Sequence, residues 1–445
     1  MKIAYIAAGA GGMYCGSCIH DNTLAAALIK KGQEVALIPT YTPLRTDETN
    51  IAVDKIFYGG INVYLEQKFS LFRHTPKLLD KIFNSTSLLK WVSRFSASTD
   101  ARELGGLTVS ILEGEEGRQK KELLKLIDWL RDSYRPEIVQ LTNSMFLGMA
   151  REIKKALSVP VLCAVQGEDL FLKELIEPYK SQACKLLRER ARDVDGFIAT
   201  SQYYADFMAD FLQVPSEKMH VVRLGISLQG HGLAPNRNGS TAFVIGYLAR
   251  ICPEKGLHLL VEAFHLLTQK FGSNNLQLNI AGYLGEKDRQ YFEDIQKQIA
   301  AWGLQDVVKY YGEVDRAEKI SFLNHLHVLS VPTVYREPKG LFVLEALANG
   351  VPVVQPNHGA FPELLLSTGG GILVEPNSPN AVAEGIKKLM HNAELREQLG
   401  QKGKSAVQRL FSDAVMAEAT VEVYQKYLAR SDAFRHSHFA AAASP

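Results

Sequence analysis

Short, almost continuously apolar runs alternate with helical patterns along the whole chain, and few architectures satisfy that alternation. In the first half the runs are Lys2–Ala8, Glu34–Pro39, Leu107–Leu112, Glu137–Leu141, Val159–Val165 and Gly196–Thr200. Between them lies helical spacing, as in Leu24, Ala25 and Leu28 ahead of Gly32. A strand apolar on both faces must be covered on both, so the pattern predicts a parallel sheet with helices above and below. It breaks at Ser227–Ser240 (SLQGHGLAPNRNGS), which is dense in Gly, Pro, Asn and Ser and reads as a linker. The alternation then restarts with Ala242–Ala249, Leu276–Ala281, Val307–Tyr311, Val328–Val331, Val351–Gln355 and Gly371–Val374 as strands.

Length agrees with two such units, since 445 residues exceed one ordinary domain of ~150. The fold class expected is α/β: two doubly wound parallel-sheet domains, residues 1–228 and 229–412, facing across a cleft. In doubly wound sheets ligands bind beyond the carboxyl ends of the strands, so that cleft is the default site. Residues 413–430 form a final amphipathic helix with Met416, Thr420, Val423, Tyr424, Tyr427 and Leu428 on one stripe, suited to packing back on the first domain. Residues 431–445 lack periodicity and read as a flexible tail.

Charge narrows the partners. Fifty Lys+Arg against 48 Asp+Glu give no global basic field for nucleic acid, so any anion must be bound locally. Five cysteines suit a reducing compartment better than a disulfide scaffold. The opening apolar run breaks at Gly9, too early for a signal peptide, and no 18-residue apolar stretch occurs elsewhere. The expected location is cytoplasmic.

The most informative segment is Tyr335–Gly350, YREPKGLFVLEALANG. A helix from about Leu341 is apolar almost all round, yet carries Glu345 on the stripe of Leu341 and Ala348. A buried carboxylate needs a partner. Helical side chains lean toward the N-terminus, which aims Glu345 at the loop Glu337–Gly340 unless a local arginine or lysine claims it. That loop brings a second carboxylate, a glycine and N–H groups suited to an anion. Upstream, Val244–Gly256 (VIGYLARICPEKG) places Arg250 after a strand and Lys255 in the first turn of a helix opened by Pro253. A cation is least favoured there unless an anion is bound beside it. Arg250 as a planar fork and Lys255 as a point charge are suited to clamping a diphosphate without a metal.

Glu337 and Glu345 form an E-x7-E pattern, and EPKGLFVLEALANGVPVV resembles the donor-site signature of retaining glycosyltransferases of family 4 (group 1). The resemblance spans nearly the whole chain and is strongest over 242–375. It implies a GT-B fold of two Rossmann-like domains, and transfer of a hexose from a UDP-, GDP- or ADP-sugar to a hydroxyl on a glycan, glycolipid or small molecule. It implies that Arg250 and Lys255 bind the donor phosphates and stabilise the leaving group. Glu345 would accept ribose hydroxyls, and Glu337 would hold the sugar with backbone at Lys339, Gly340, Leu341 and Phe342. Base contacts are expected from backbone near Gly312–Val314, that is at Gly312 and Val314. No cofactor is implied beyond the nucleotide sugar, and no D-x-D pair near a first-domain strand end suggests a divalent metal. Alternatives are a nucleotide-sugar epimerase or disaccharide phosphorylase on the same fold, or a non-catalytic nucleotide-sugar binding subunit.

First-domain signals are weaker. The loop Gly9–Gly16 does not complete G-x-G-x-x-G, because position 14 is Tyr, and no acidic residue follows the second strand, so a nicotinamide or flavin site is disfavoured. The resemblance makes Gly11 and Gly12 candidates for approaching the donor phosphate. Cys15 and Cys18 supply only two of four zinc ligands and read as structural or accidental. Gln166 stands where many relatives carry His; it can hold a sugar hydroxyl but cannot titrate. Glu168 and Asp169 are candidates for orienting an acceptor, or simply a polar loop. Residues 68–95 set six basic side chains against one acidic, which suits either docking on the inner face of an anionic membrane or a solvated helical excursion over the acceptor cleft. His325 and His327 read as packing.

Overall fold

The computed structural model describes residues 1–9, 15–57, 101–232 and 242–442. It divides into two compact units, one of Met1–Arg223 with Met416–Pro445, the other of Leu224–Val415.

In the first unit, strands β1 (Lys2–Ala7), β2 (Glu34–Pro39), β3 (Ile138–Leu141), β4 (Val161–Val165), β5 (Gly196–Ala199) and β6 (Met219–Val221) form one parallel sheet in the order β2-β1-β3-β4-β5-β6. Along β1 the side chains alternate: Ile3, Tyr5 and Ala7 enter one buried cluster, Ala4 and Ile6 another, each on its own face of the sheet. Helix α1 (Gly16–Lys30) supplies Leu24 and Leu28 to the first cluster. β6 escaped the sequence reading; it is a three-residue edge strand, half-exposed and without a long apolar run.

Leu107–Leu112 is not a strand. It lies in α2 (Ala101–Glu113), where Leu104, Thr108 and Leu112 share one side and the Thr108 hydroxyl donates to Leu104 O at 2.8 Å. The β-branched residues give it strand character, but packing against α3 (Tyr179–Arg190) outweighs that preference: Gly105 leaves room for the Tyr179 ring.

The second unit repeats the plan. Strands β7 (Phe243–Leu248), β8 (Leu276–Ala281), β9 (Val308–Tyr310), β10 (Val328–Leu329), β11 (Val353–Pro356) and β12 (Gly371–Val374) form a parallel sheet in the order β12-β11-β10-β7-β8-β9. Its helices include α4 (Leu257–Phe271), α5 (Arg316–Asn324) and α6 (Leu341–Ala348), and one continuous apolar core fills the unit. Strand order reverses beside β1 in the first sheet and between β7 and β10 in the second, so the segments after β7 and β10 meet at a switch point where ligands bind.

The last helix, α7 (Asp413–Ala442), runs past Arg430 through residues read as an aperiodic tail; its closing alanines are strong helix formers. Met416, Tyr424 and Tyr427 join the β1 face of the first sheet, and Gly196 is required because a Cβ there would meet the Tyr427 ring.

One side chain closes α2. Arg190, 5% exposed, donates from Nε to Leu112 O at 3.1 Å and from Nη1 to Glu115 Oε1 at 3.0 Å. Replacing it with methionine removes the donor to the Leu112 and Glu113 carbonyls and leaves Glu115 with Arg151 alone. Arg190→Met is expected to destabilise the first unit by about 3 kcal/mol, read as a lower urea midpoint of its unfolding transition.

Candidate active site

β7 delivers the chain to Arg250, and a single 3-10 turn, Pro253–Lys255, follows. Lys255 therefore precedes α4 instead of lying in its first turn; Gly256 is the α4 N-cap. Gly256 has φ +70, and a Cβ there would lie 1.9 Å from Pro332 O, so only glycine lets this turn approach the segment after β10. Val334 N donates to Glu254 O at 2.9 Å and ties the two together.

That approach brings Lys255 to Glu337. Lys255 Nζ lies 2.6 Å from Glu337 Oε2 and donates to the Tyr335 hydroxyl at 2.9 Å. It sits 5.0 Å from the Tyr335 ring centre and 5.4 Å from that of Phe342, within cation–π range. Glu337 is 4% exposed. Tyr335 donates to its Oε2, and the N–H groups of Lys339 and Gly340 donate to its Oε1 at 3.3 Å each. Those two N–H groups were expected for an anion; here they hold the carboxylate. Gly340 brings no side-chain cap to α6; Val343 N donates to Gly340 O at 2.9 Å, and the N–H groups of Leu341 and Phe342 open the helix ahead of it.

Burial raises the Glu337 carboxyl, but Lys255, Tyr335 and the Gly340 N–H outweigh it and hold the group at about 2. Burial first, then the Glu337 charge, pushes the Tyr335 phenol well above its ordinary range, so it stays a donor. Tyr335 and its contact were missed from sequence, although it opens the quoted segment. His358, lowered by burial and by Arg336, puts Nε2 2.9 Å from Thr333 O.

Arg250 is half-buried beside Cys252, and no carboxylate lies within ion-pair distance of it among the described residues. Glu345 does not turn to the Glu337 loop. Its Oε1 lies 2.5 Å from Lys319 Nζ on α5, and Asn349 Nδ2 donates to its carbonyl. Each carboxylate of the pair thus has its own lysine. Gly312 and Val314 lie between β9 and α5, and Gly312 O accepts from Gly282 N at 2.8 Å. A capping box of Asp315 and Glu318 fixes the start of α5.

In the first unit, Gln166 at the carboxyl end of β4 points inward. Its Nε2 donates to Asp21 Oδ1 at 2.9 Å and to Thr142 O at 2.8 Å. Asp21, 1% exposed, also accepts from Tyr5 at 2.8 Å and Thr142 Oγ1 at 2.5 Å, with His20 Nδ1 at 3.2 Å. Sequence reasoning missed this carboxylate because nothing in a helix pattern marks which polar residue turns inward. Glu168 accepts from the backbone of Ser144 (2.9 Å) and Gln166 (2.6 Å), and Asp169 from Tyr204 (3.1 Å) and Lys173 (3.0 Å). Glu168 ties backbone after β3 and β4, whereas Asp169 bonds to helix residues, so each carboxylate has a structural partner. Cys15 stands at the N-cap position of α1 without a side-chain cap bond, and Cys18 is buried in the first turn of that helix. His327 Nδ1 accepts from Val244 N at 3.0 Å, a packing role. Gly11, Gly12 and residues 68–95 lie outside the described residues. Among the described residues no cluster of three His, Cys, Asp or Glu side chains suits a metal, and no helix is long and apolar enough to cross a membrane.

Two parallel six-stranded Rossmann-like units, the second with paired cations and carboxylates at its switch point, define the GT-B class. Residues 234–406 match the model of glycosyl transferases group 1, and residues 108–229 that of glycosyltransferase family 4. The chain belongs to these group 1, family 4 glycosyltransferases. It is 30% identical over 190 residues to the capsular polysaccharide biosynthesis glycosyltransferase CapM of Staphylococcus aureus, covering 43% of this chain and 48% of CapM. It is 29% identical to the phosphatidyl-myo-inositol mannosyltransferase of Mycobacterium leprae, covering 45% of this chain and 52% of that one. The matches thus span about half the length of these relatives. An uncharacterized glycosyltransferase of Methanocaldococcus jannaschii is 24% identical across 92% of this chain and 94% of its own. The fold matches Anabaena Alr3699/HepE, solved with UDP and glucose, at TM-score 0.67 and 16% identity, covering 96% of this chain and 99% of that one. It also matches the sucrose-phosphate synthase of Thermosynechococcus elongatus at TM-score 0.70 and 16% identity, covering 96% and 99%.

The Glu337 carboxyl sits at about 2 when folded against 4.5 as the ordinary value. A depressed carboxyl stabilises the fold above its unfolded value and loses that contribution as pH falls toward its folded one. The second unit is therefore expected to lose about 3 kcal/mol between about pH 5 and pH 2 through this group. Glu337→Gln should flatten that stretch of a plot of urea midpoint against pH.

Proposed function

We propose that the chain transfers a hexose from a nucleoside-diphosphate sugar to a hydroxyl acceptor, with retention of anomeric configuration and without a metal ion. The observation that carries this reading is the state of Lys255. An ammonium has three N–H groups; two go to Tyr335 and Glu337, and the third is left for an anion beside Arg250 and the uncapped α6. As the bond from the sugar's anomeric carbon to the phosphate oxygen breaks, negative charge grows on the diphosphate, and these groups are already oriented toward it. The acceptor hydroxyl attacks from the face the leaving group departs, and its proton passes to the departing phosphate oxygen.

Glu337, kept ionised, accepts hydroxyls of the donor sugar, with backbone at Lys339, Gly340, Leu341 and Phe342 beside it. Glu345 accepts those of ribose. Gly312 and Val314 face the base. Relatives named as mannosyltransferases and a fold neighbour holding UDP and glucose support a hexose on a nucleoside diphosphate. The basic segment 68–95 supports an anionic membrane surface as the place of work, and a glycan or glycolipid as acceptor.

A thermal-shift panel of UDP-, GDP- and ADP-sugars identifies the donor, because binding stabilises the folded state. With that donor, Arg250→Ala and Lys255→Ala are each expected to lower kcat by about 10²–10³ while the proteins stay folded. Full activity in both variants refutes the phosphate assignment, and tight binding without turnover points to a binding subunit.

A further inference from the structure

We propose that Lys319 is a positioning residue of the donor site, which holds Glu345 as a fixed, ionised acceptor for the ribose hydroxyls of the nucleotide. The proposal rests on the donor reading above and adds a residue to it. α6 is apolar but for Glu345, and a carboxylate in such surroundings favours its neutral form unless a cation faces it. Lys319 meets that need from another helix. Its Nζ lies 2.5 Å from Glu345 Oε1, and each residue is 7% exposed.

The position is a costly one for a lysine that only packs. It lies one turn into α5, near the helix end where a positive charge is least favoured, and it is buried there. A buried ion pair also gives little net stability over an apolar pair of similar volume. The surroundings fix the pair's geometry. The Asp315–Glu318 box holds the start of α5, Lys319 N donates to Asp315 O at 2.8 Å, and Asn349 holds the Glu345 carbonyl. α5 also follows directly from Gly312–Val314, so one helix joins the stretch assigned to the base to the carboxylate assigned to the sugar of the nucleotide. Ribose hydroxyls are donors. An ionised carboxylate accepts from both, whereas a protonated one spends an oxygen on its own hydrogen.

The test is titration calorimetry with UDP, GDP and ADP, each against its 2′,3′-dideoxy counterpart. The wild-type protein is expected to bind its preferred nucleotide about tenfold or more tightly than the dideoxy form. Lys319→Met should bring that ratio close to one, and Lys319→Arg should restore most of it. The ratio compares two ligands on one sample, so loss of folded protein does not change it. If Lys319→Met does not fold, Lys319→Gln carries the same expectation. A wild-type ratio in the neutral variant overturns the role of Lys319 and leaves the donor reading standing. Failure of the wild-type protein to bind any of the three nucleotides overturns both.

Discussion

The second unit is organised around one desolvated contact, Lys255 with Glu337. A carboxylate 4% exposed is costly to ionise, and here it is ionised because a lysine, a phenol and two backbone N–H groups converge on it. That convergence requires the turn after β7 and the segment after β10 to touch, and the left-handed Gly256 permits the touch against Pro332. The sheet's strand reversal puts the two segments side by side; the ion pair sets their spacing. Everything proposed for the leaving group depends on that spacing, since a diphosphate would meet a lysine whose direction is already fixed.

Stability alone does not explain such a contact. Buried ion pairs are seldom better than apolar side chains of the same volume, yet here each carboxylate of the E-x7-E segment is joined to a lysine from a different element. The core around them is an ordinary apolar one. Charge has been placed at the switch point at a cost to folding, a pattern expected where binding needs acceptors with no freedom to turn.

Much of this was legible in the sequence, and the reasons are specific. Parallel strands buried on both faces leave continuous apolar runs, so five of six strands in the first sheet and all six in the second were readable. Leu107–Leu112 misled because β-branched residues fit either geometry, and only packing against α3 decides. Glu337 and Glu345 announced themselves as carboxylates in apolar text. Their partners did not: Lys319 is 26 positions from Glu345 and Lys255 82 from Glu337, and which lysine reaches which carboxylate follows from strand order, not local pattern. Asp21 was hidden for the same reason, because Tyr5, Thr142 and Gln166 come from three different strands or strand ends.

The placement of α7 has a consequence for how the molecule is made. The β1 face of the first sheet, with Tyr5, Leu162 and Ile198, is sealed by Met416, Tyr424 and Tyr427 from the far end of the chain. On a ribosome, α1 covers part of that face early, but the part that meets α7 stays uncovered while the whole second unit is synthesised. The half of the protein that is made earlier is therefore finished later, and the apolar strip reserved for Met416, Tyr424 and Tyr427 is exposed until α7 arrives.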